Sequence, residues 1–212
     1  YRDSELKALK AQMNPHFILN VLNSIQEFIV LNQKDMASDY LATFAELIRS
    51  YLHYSSEGQI SIADEIETLN KYMELESLRF EEKLSYKITL EDDSLQDKFI
   101  PTMVIQPFVE NAVKHGLFHK PNDQRLSVSI AMHTNTSIKV EIEDNGIGRE
   151  RAKELKGQKQ QLHKSFAMDA TQNRLDLLNE KFENKIGLEY IDLKADNGDA
   201  LGTKVILTIP IL

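Results

Sequence analysis

The sequence predicts an α+β protein in which a helical hairpin precedes an α/β sandwich. Two observations lead to this. Through the first quarter of the chain apolar residues recur at spacings of three and four, the mark of amphipathic helices. Beyond Phe80 the grammar changes to short alternating or β-branched segments interleaved with further helical stretches. A third observation makes a packed core reasonable: 42% of the 212 residues are hydrophobic and 27% are charged.

The first helix is read from Leu6 to Leu31. Met13, Phe17, Val21, Ile25 and Phe28 form apolar rows, and Ile18, Leu19, Leu22 and Ile29 fill other sides. A helix apolar on several sides needs more than one neighbour. One stripe stays polar: Gln12, His16, Asn20, Asn23 and Glu27. After the polar break Asn32–Asp35, a second helix runs from Met36 to Tyr54 with Tyr40, Leu41, Phe44, Ile48, Tyr51 and Leu52 on one face. So short a connection makes the pair an antiparallel hairpin. A hairpin of this size buries too little surface to stand alone, so dimerisation into a four-helix bundle is its natural completion.

Ser55–Gly58 reads as a linker, which divides the chain into a helical dimerisation domain at 1–57 and a second domain at 58–212. A third helix is expected over Ala63–Phe80, with Ile66, Leu69, Tyr72 and Met73 on its apolar side. Strands are expected at Leu84–Leu90, Leu126–Met132, Ser137–Glu143, Leu188–Leu193 and Lys204–Ile209. Met103–Gly116 and Ala170–Phe182 read as helices, with Pro107 near the start of the first and Gly116 as its stop. Arg149–Lys164 is nearly all polar and reads as a mobile loop.

Composition narrows the function classes. The chain has no cysteine, which excludes a disulfide scaffold or thiolate metal site and fits a reducing compartment. A net charge of −8 argues against direct nucleic-acid binding, since phosphate backbones require concentrated Lys and Arg. No run of about 18 apolar residues occurs, so no membrane contact is expected of this fragment. The chain opens on Tyr1, without Met and inside a helical pattern, and is read as a piece excised from a longer protein.

Two segments carry specific chemistry. Glu110-Asn111-Ala112-Val113-Lys114-His115 falls late in a helix, and Asp144-Asn145-Gly146-Ile147-Gly148 follows a strand. Alone, Asp-Asn-Gly fits a tight hairpin turn, and the first segment fits a solvated helix face. Their order and spacing make the two bland readings hard to hold together. A third segment, Pro15-His16-Phe17, sets a histidine on the polar stripe beside a proline. Inside a helix such a proline costs roughly 3 kcal/mol, plausible where a kink aims a side chain. Neutral imidazole near pH 7 offers a nitrogen able to attack phosphorus.

The first two segments resemble the N and G1 boxes of the Bergerat ATPase fold shared by histidine kinases, DNA gyrase, Hsp90 and the MutL proteins. The resemblance implies ATP and Mg²⁺ as cofactors. It makes Asn111 the metal ligand through its side-chain oxygen, and Asp144 the acceptor for the exocyclic amine of adenine. Gly146 and Gly148 would let backbone approach the nucleotide, Lys114 and His115 would contact phosphate, and Thr203, after Gly202, would assist Asp144. Arg149–Lys164 would be the lid. The family's second glycine box has no counterpart here: the chain reads Ser165-Phe166-Ala167-Met168-Asp169 before Asn173-Arg174-Leu175, with Ala167 at the expected glycine.

Gln12 to Asn23, with Ile100-Pro101 and Gln106-Pro107-Phe108-Val109-Glu110-Asn111, is similar to the LytS/YehU-like sensor histidine kinases, over nearly the whole chain from Leu6 to Ile209. That resemblance implies His16 as phosphoacceptor, a homodimer, and phosphotransfer to an aspartate of a response regulator, in this family often one with a LytTR-type DNA-binding output. It also implies the cytoplasmic part of a bacterial inner-membrane protein. Phe17 stands where many histidine kinases carry an acidic base, so the proton acceptor is open, with Glu110 the first choice. Asn20 would either position the imidazole or orient a water. Glu74, Glu76 and Arg79 read as a surface or interdomain salt bridge. Two alternatives stay beside the kinase: a pseudokinase serving as a nucleotide-sensing dimerisation module, suggested by Ala167, and an ATPase of the gyrase, Hsp90 or MutL kind. Intact His16, Asn111 and Asp144 weigh against the first, and the Pro15-His16 hairpin against the second.

Overall fold

The structure is a computed structural model that describes residues 15–80, 83–159, 175, 176, 179 and 185–212, with Pro15, His16 and 156–159 described by their backbone. Several sequence readings lie outside the described residues: the helix before Pro15 and hence its kink, the end of the Arg149–Lys164 stretch, Ala167, and most of Ala170–Phe182.

Helices α1 (Pro15–Val30) and α2 (Lys34–Glu57) pack together across a short connection. There the Gln33 N–H donates to the Phe28 carbonyl at 2.8 Å, and Asn32 takes a φ of 57°, which asparagine tolerates. Helix α2 continues through the stretch read as a linker. It stops at Gly58, whose φ of 74° lets its N–H reach back 3.1 Å to the Tyr54 carbonyl. The serines that suggested a linker are accommodated inside the helix, Ser56 Oγ donating to the His53 carbonyl at 2.7 Å. No slack follows, because β1 (Gln59–Ser61) pairs antiparallel with β3 (Phe99–Pro101). Ser61 then caps α3 (Ile62–Arg79), accepting from the Asp64 N–H at 3.1 Å.

The main sheet has five strands in the order β2 (Leu84–Leu90), β4 (Gln124–Thr134), β5 (Ser137–Asp144), β7 (Ala200–Pro210), β6 (Gly187–Lys194). Only β2 and β4 are parallel; the other neighbours are antiparallel. Each strand overlaps its expected segment, and alternation decides its faces. Leu126, Val128, Ile130, Ile138, Val140, Ile142, Leu207 and Ile209 are buried in the core. Lys204 lies among carboxylates on the other face, 2.9 Å from Glu143 and 3.5 Å from Glu141.

That core runs without interruption into the helices. Phe17 of α1 packs its ring 5.1 Å from Tyr72 of α3 and 6.1 Å from Phe44 of α2. Tyr40, Leu47 and Tyr51 of α2 and Leu69 and Met73 of α3 are buried in the same cluster. The hairpin is therefore seated on α3, while Leu19, Leu22 and Ile29 remain at least half exposed.

Helix α4 (Gln106–Asn111) carries Pro107 in its first turn, where a missing N–H is harmless. It widens at Ala112 into a π-helical turn ending at Leu117, closed by the Phe118 N–H on the Val113 carbonyl at 2.9 Å. Gly116 thus does not stop the helix, as the sequence suggested. It sits within the wide turn, and space rather than φ demands glycine: a Cβ there would lie 2.6 Å from Asp144 Oδ1. Helix α5 (Arg149–Lys159) replaces the first part of the expected loop. Its Lys, Glu, Arg and Ala residues are good helix formers without an apolar stripe, so periodicity could not reveal it. Among the described residues no helix is long and apolar enough to cross a membrane.

Candidate functional site

Asp144 ends β5 and is buried. Burial pushes its carboxyl up to about 6, against the pull of the Gly146 and Thr203 backbone N–H groups; the Gly146 bond measures 2.8 Å. Thr203 sits directly opposite on β7. Asp144-Asn145-Gly146 is not a hairpin turn. Asn145 ties the strand exit to its neighbours, its Oδ1 accepting from the Arg125 N–H at 2.7 Å and its Nδ2 donating to the Asp123 carbonyl at 2.8 Å. The Ile147 N–H donates to the Gly116 carbonyl at 3.1 Å, which holds the loop against the π-helical turn. Gly146 is required by this approach, since a Cβ would run into the backbone of Gly116.

The approach leaves a cavity of about 130 Å³ between α4, the π-helical turn, α5 and the strands β6 and β7. Phe108, Ala112, Tyr190 and Val205 give it apolar walls, Asn111, His115, Asp144 and Thr203 supply polar groups, and Gly148, Arg149, Ala152 and Lys153 complete the lining. A largely apolar cavity ending on a buried carboxylate suits an aromatic ligand that carries a hydrogen-bond donor. A wider hollow of about 420 Å³, lined by Ser85, Tyr86, Lys87, Arg125, Leu126, Ser127 and Glu143 beside Asp144, is more open.

The structure therefore gathers five of the residues singled out by sequence: Asn111, His115, Asp144, Gly148 and Thr203. Gly146 lies behind them. Glu110 and Lys114 do not line the cavity, because their positions on the helix turn them away from the Asn111 face. His16 lies in the first turn of α1, and its imidazole is outside the described side chains. Asn20, one turn on, is half-buried.

Glu110 instead faces a buried polar cluster. Gln106 Nε2 donates to Glu110 Oε1 at 3.2 Å. Desolvation pushes the Glu110 carboxyl up to about 7; Gln106 opposes the shift, Glu76 adds to it, and Lys114 opposes it. Glu76 is likewise pushed up to about 7 by burial, although Arg79 lies 2.9 Å away and holds it down. The hydroxyls of Tyr51 on α2 and Tyr72 on α3 are raised by burial and then by the Glu110 and Glu76 carboxylates. Of the residues read as a surface or interdomain salt bridge, Glu76 and Arg79 do pair, with Glu76 buried and Arg79 partly so. A signal for this was present: Glu65, Leu69, Tyr72 and Glu76 lie on one helical row, so both carboxylates continue the apolar side of α3. Of the aromatic walls of the cavity, Phe108 lay within the Gln106–Asn111 segment without a role assigned, and Tyr190 carried no motif.

The sequence profile described as histidine kinase matches residues 4–84. Sensor protein LytS of Staphylococcus haemolyticus is 33% identical over 147 residues, which is 69% of this chain and 25% of that protein. Sensor histidine kinase BtsS of Escherichia coli is 36% identical over 142 residues, 67% of this chain and 25% of that protein. The chain thus spans about a quarter of the length of these relatives. Among solved structures, the histidine kinase domain of the blue-light-activated histidine kinase of Erythrobacter litoralis matches with a TM-score of 0.51 over 99% of this chain and 93% of that one. Its 12% identity makes that a likeness of fold. With the histidine kinase profile on its helices and one residue in three shared with LytS and BtsS across two thirds of its length, this chain belongs to the LytS-like sensor histidine kinases.

Proposed function

We propose that this chain binds MgATP in the cavity that ends on Asp144, phosphorylates itself on His16, and passes the phosphoryl group to an aspartate of a response regulator, of the LytTR type. The observation that carries the reading is the slot itself: a buried carboxylate between aromatic and aliphatic walls, with Asn111 and His115 on the α4 side. These residues fit an adenine nucleotide. Asp144 accepts from the exocyclic amine, Thr203 supports it, and the apolar walls enclose the base. The Asn111 oxygen is a hard neutral ligand of the kind Mg²⁺ takes together with phosphate oxygens. His115 serves the phosphates, and Gly146 and Gly148 keep backbone close to the nucleotide. When bound, MgATP supplies the phosphoryl donor, its charge partly neutralised by the metal.

In the transfer a nitrogen of His16 forms the bond to the γ-phosphorus, the bond from that phosphorus to the bridging oxygen breaks, and ADP leaves. The imidazole proton passes to Glu110. Two facts support Glu110 as that base: its carboxyl is poised at about 7, near the pH at which it must work, and it faces the hairpin. Tyr72, which feels its charge, receives the ring of Phe17, the residue after His16. Asn20 either positions the imidazole or orients a water for dephosphorylation of a partner.

The uncovered Leu19, Leu22 and Ile29 favour a second copy packed on the hairpin as a four-helix bundle, with the dimerisation and phosphoacceptor part at 1–57 and the ATP-binding part at 58–212. Within a full-length sensor this part would lie on the cytoplasmic side of the bacterial inner membrane.

Incubation with γ-labelled ATP and Mg²⁺ tests the proposal. Acid-labile, base-stable label is expected on the wild type and none on His16→Gln. Equal label on the two proteins, or none on either, overturns it. Nucleotide binding without label would identify a nucleotide-sensing dimerisation module, and steady phosphate release without label an ATPase.

A further inference from the structure

The edge strand β6 carries Tyr190 and Asp192, two residues apart and so on one face of the sheet. Arg149, the first residue of α5, meets both. Its Nε and Nη2 donate to the two carboxylate oxygens of Asp192, each at 2.7 Å, and its guanidinium carbon lies 4.8 Å from the centre of the Tyr190 ring. A two-pronged pair of this kind fixes the plane of the guanidinium as well as its position. Each partner alters the other, Asp192 held below its usual range and Arg149 raised. Lys194, two residues further along β6, reaches Glu150 at 3.4 Å. Tyr190 in turn lies 6.5 Å, centre to centre, from Phe108 of α4.

The start of α5 also packs against the π-helical turn, but few of its side chains are buried among the described residues. Glu150, Arg151, Lys153 and Glu154 are exposed, and the helix has no apolar stripe to bury. It follows Gly148, whose φ of 77° is a conformation open to glycine and a natural pivot. Yet Arg149, Ala152 and Lys153 line the same cavity as Asn111, Asp144 and Tyr190. The clasp from Arg149 onto β6 therefore joins the packing on the π-helical turn in setting α5 beside that cavity.

We propose that Asp192 and Tyr190 are positioning residues for the nucleotide: they brace Arg149, and with it the first turn of α5, as a preformed wall of the slot that ends on Asp144. This rests on the nucleotide reading of that slot. Bracing the wall before binding removes an ordering cost that a loose helix start would otherwise impose on the ligand. Arg149 over the Tyr190 ring also extends the aromatic wall available to a planar base while Asp144 reads its edge.

Calorimetric titration of ADP and ATP into the whole chain tests this, with melting temperatures recorded for each protein. Asp192→Asn and Arg149→Lys should each weaken ADP binding about three- to fivefold, as for partly exposed ion pairs. The double variant should be little weaker than either single one, because both remove the same brace. Tyr190→Leu should weaken binding by roughly tenfold and Tyr190→Phe by less than about twofold, since the ring is the wall. In the labelling assay the losses should fall on KM for ATP more than on kcat. Wild-type ADP affinity in both Asp192→Asn and Tyr190→Leu overturns the proposal. So does a Tyr190→Phe variant that binds as poorly as Tyr190→Leu. A wild-type chain that binds neither nucleotide removes the nucleotide reading itself, and this proposal falls with it.

Discussion

The two sides of helix α4 handle ionisable groups differently. Toward the cavity it turns Asn111, an uncharged amide, and the following π-helical turn adds His115; the one carboxylate there, Asp144, receives backbone N–H bonds and is raised only to about 6. Toward the hairpin it turns Gln106 and Glu110, where Glu110 and Glu76 are both held near 7 by burial. At neutral pH the first carboxyl is mostly ionised and able to accept a hydrogen bond. The other two sit close to half-protonation and can exchange a proton at little cost. One short helix thus separates a binding face from a proton-handling face; burial raises all three carboxyls, and an aspartate, with its lower starting value and its backbone N–H donors, stays the more acidic.

Removing the proton-handling group should have the largest effect. Glu110→Gln is expected to slow labelling of His16 by about 100-fold or more, the usual scale for a lost general base, while leaving ADP affinity within about twofold. A variant that labels at the wild-type rate would remove Glu110 from the chemistry and return the base to the open question posed by Phe17.

Next comes the binding face. Asp144→Asn should weaken ADP binding by roughly 10- to 100-fold, the scale of a hydrogen bond to a charged group. Because the carboxyl is poised at about 6, wild-type affinity should fall as pH drops through that value and the acceptor becomes protonated. The asparagine variant should lose this pH dependence, and an unchanged acid limb would assign it to another group.

The smallest effect is on stability. A carboxyl that rises from 4.5 unfolded to about 7 folded, as Glu110 does, leaves the native state holding more protons between those pH values. Stability must therefore fall as pH rises through that window, by up to about 3 kcal/mol for one such group. Glu110→Gln should raise the melting temperature by a few degrees at pH 8 and leave it unchanged near pH 4.5. A gain at both pH values would mean that packing rather than charge is responsible.

Much of the cavity was legible from sequence because its requirements are local. Asp144, Gly146 and Gly148 follow a strand, and Asn111 and His115 share a helix face, so their order and spacing, with the resemblance to the N and G1 boxes, carried them. The hairpin face was less legible. Glu76 and Glu65 look like ordinary solvated residues of an amphipathic helix until the row through Leu69 and Tyr72 is followed, and even then only the packing of α2 and α4 against α3 shows that row to be covered. Ser55–Gly58 has a linker's composition, yet its fate depends on β1 pairing with β3, forty residues away in the chain.

The sequence by itself determined the first three helices and the five strands of the main sheet in outline, the histidine kinase resemblance, and the position of the Asp144 and Asn111 segments, since periodicity, turn chemistry and motif spacing are properties of neighbouring residues. Tertiary structure alone decided that Gly116 clears space for Asp144, that Glu110 faces the hairpin rather than the cavity, and that Arg149 is clasped by Tyr190 and Asp192. Each of these joins residues far apart in the chain, and their energies come from burial and close approach that exist only once the sheet and helices have packed.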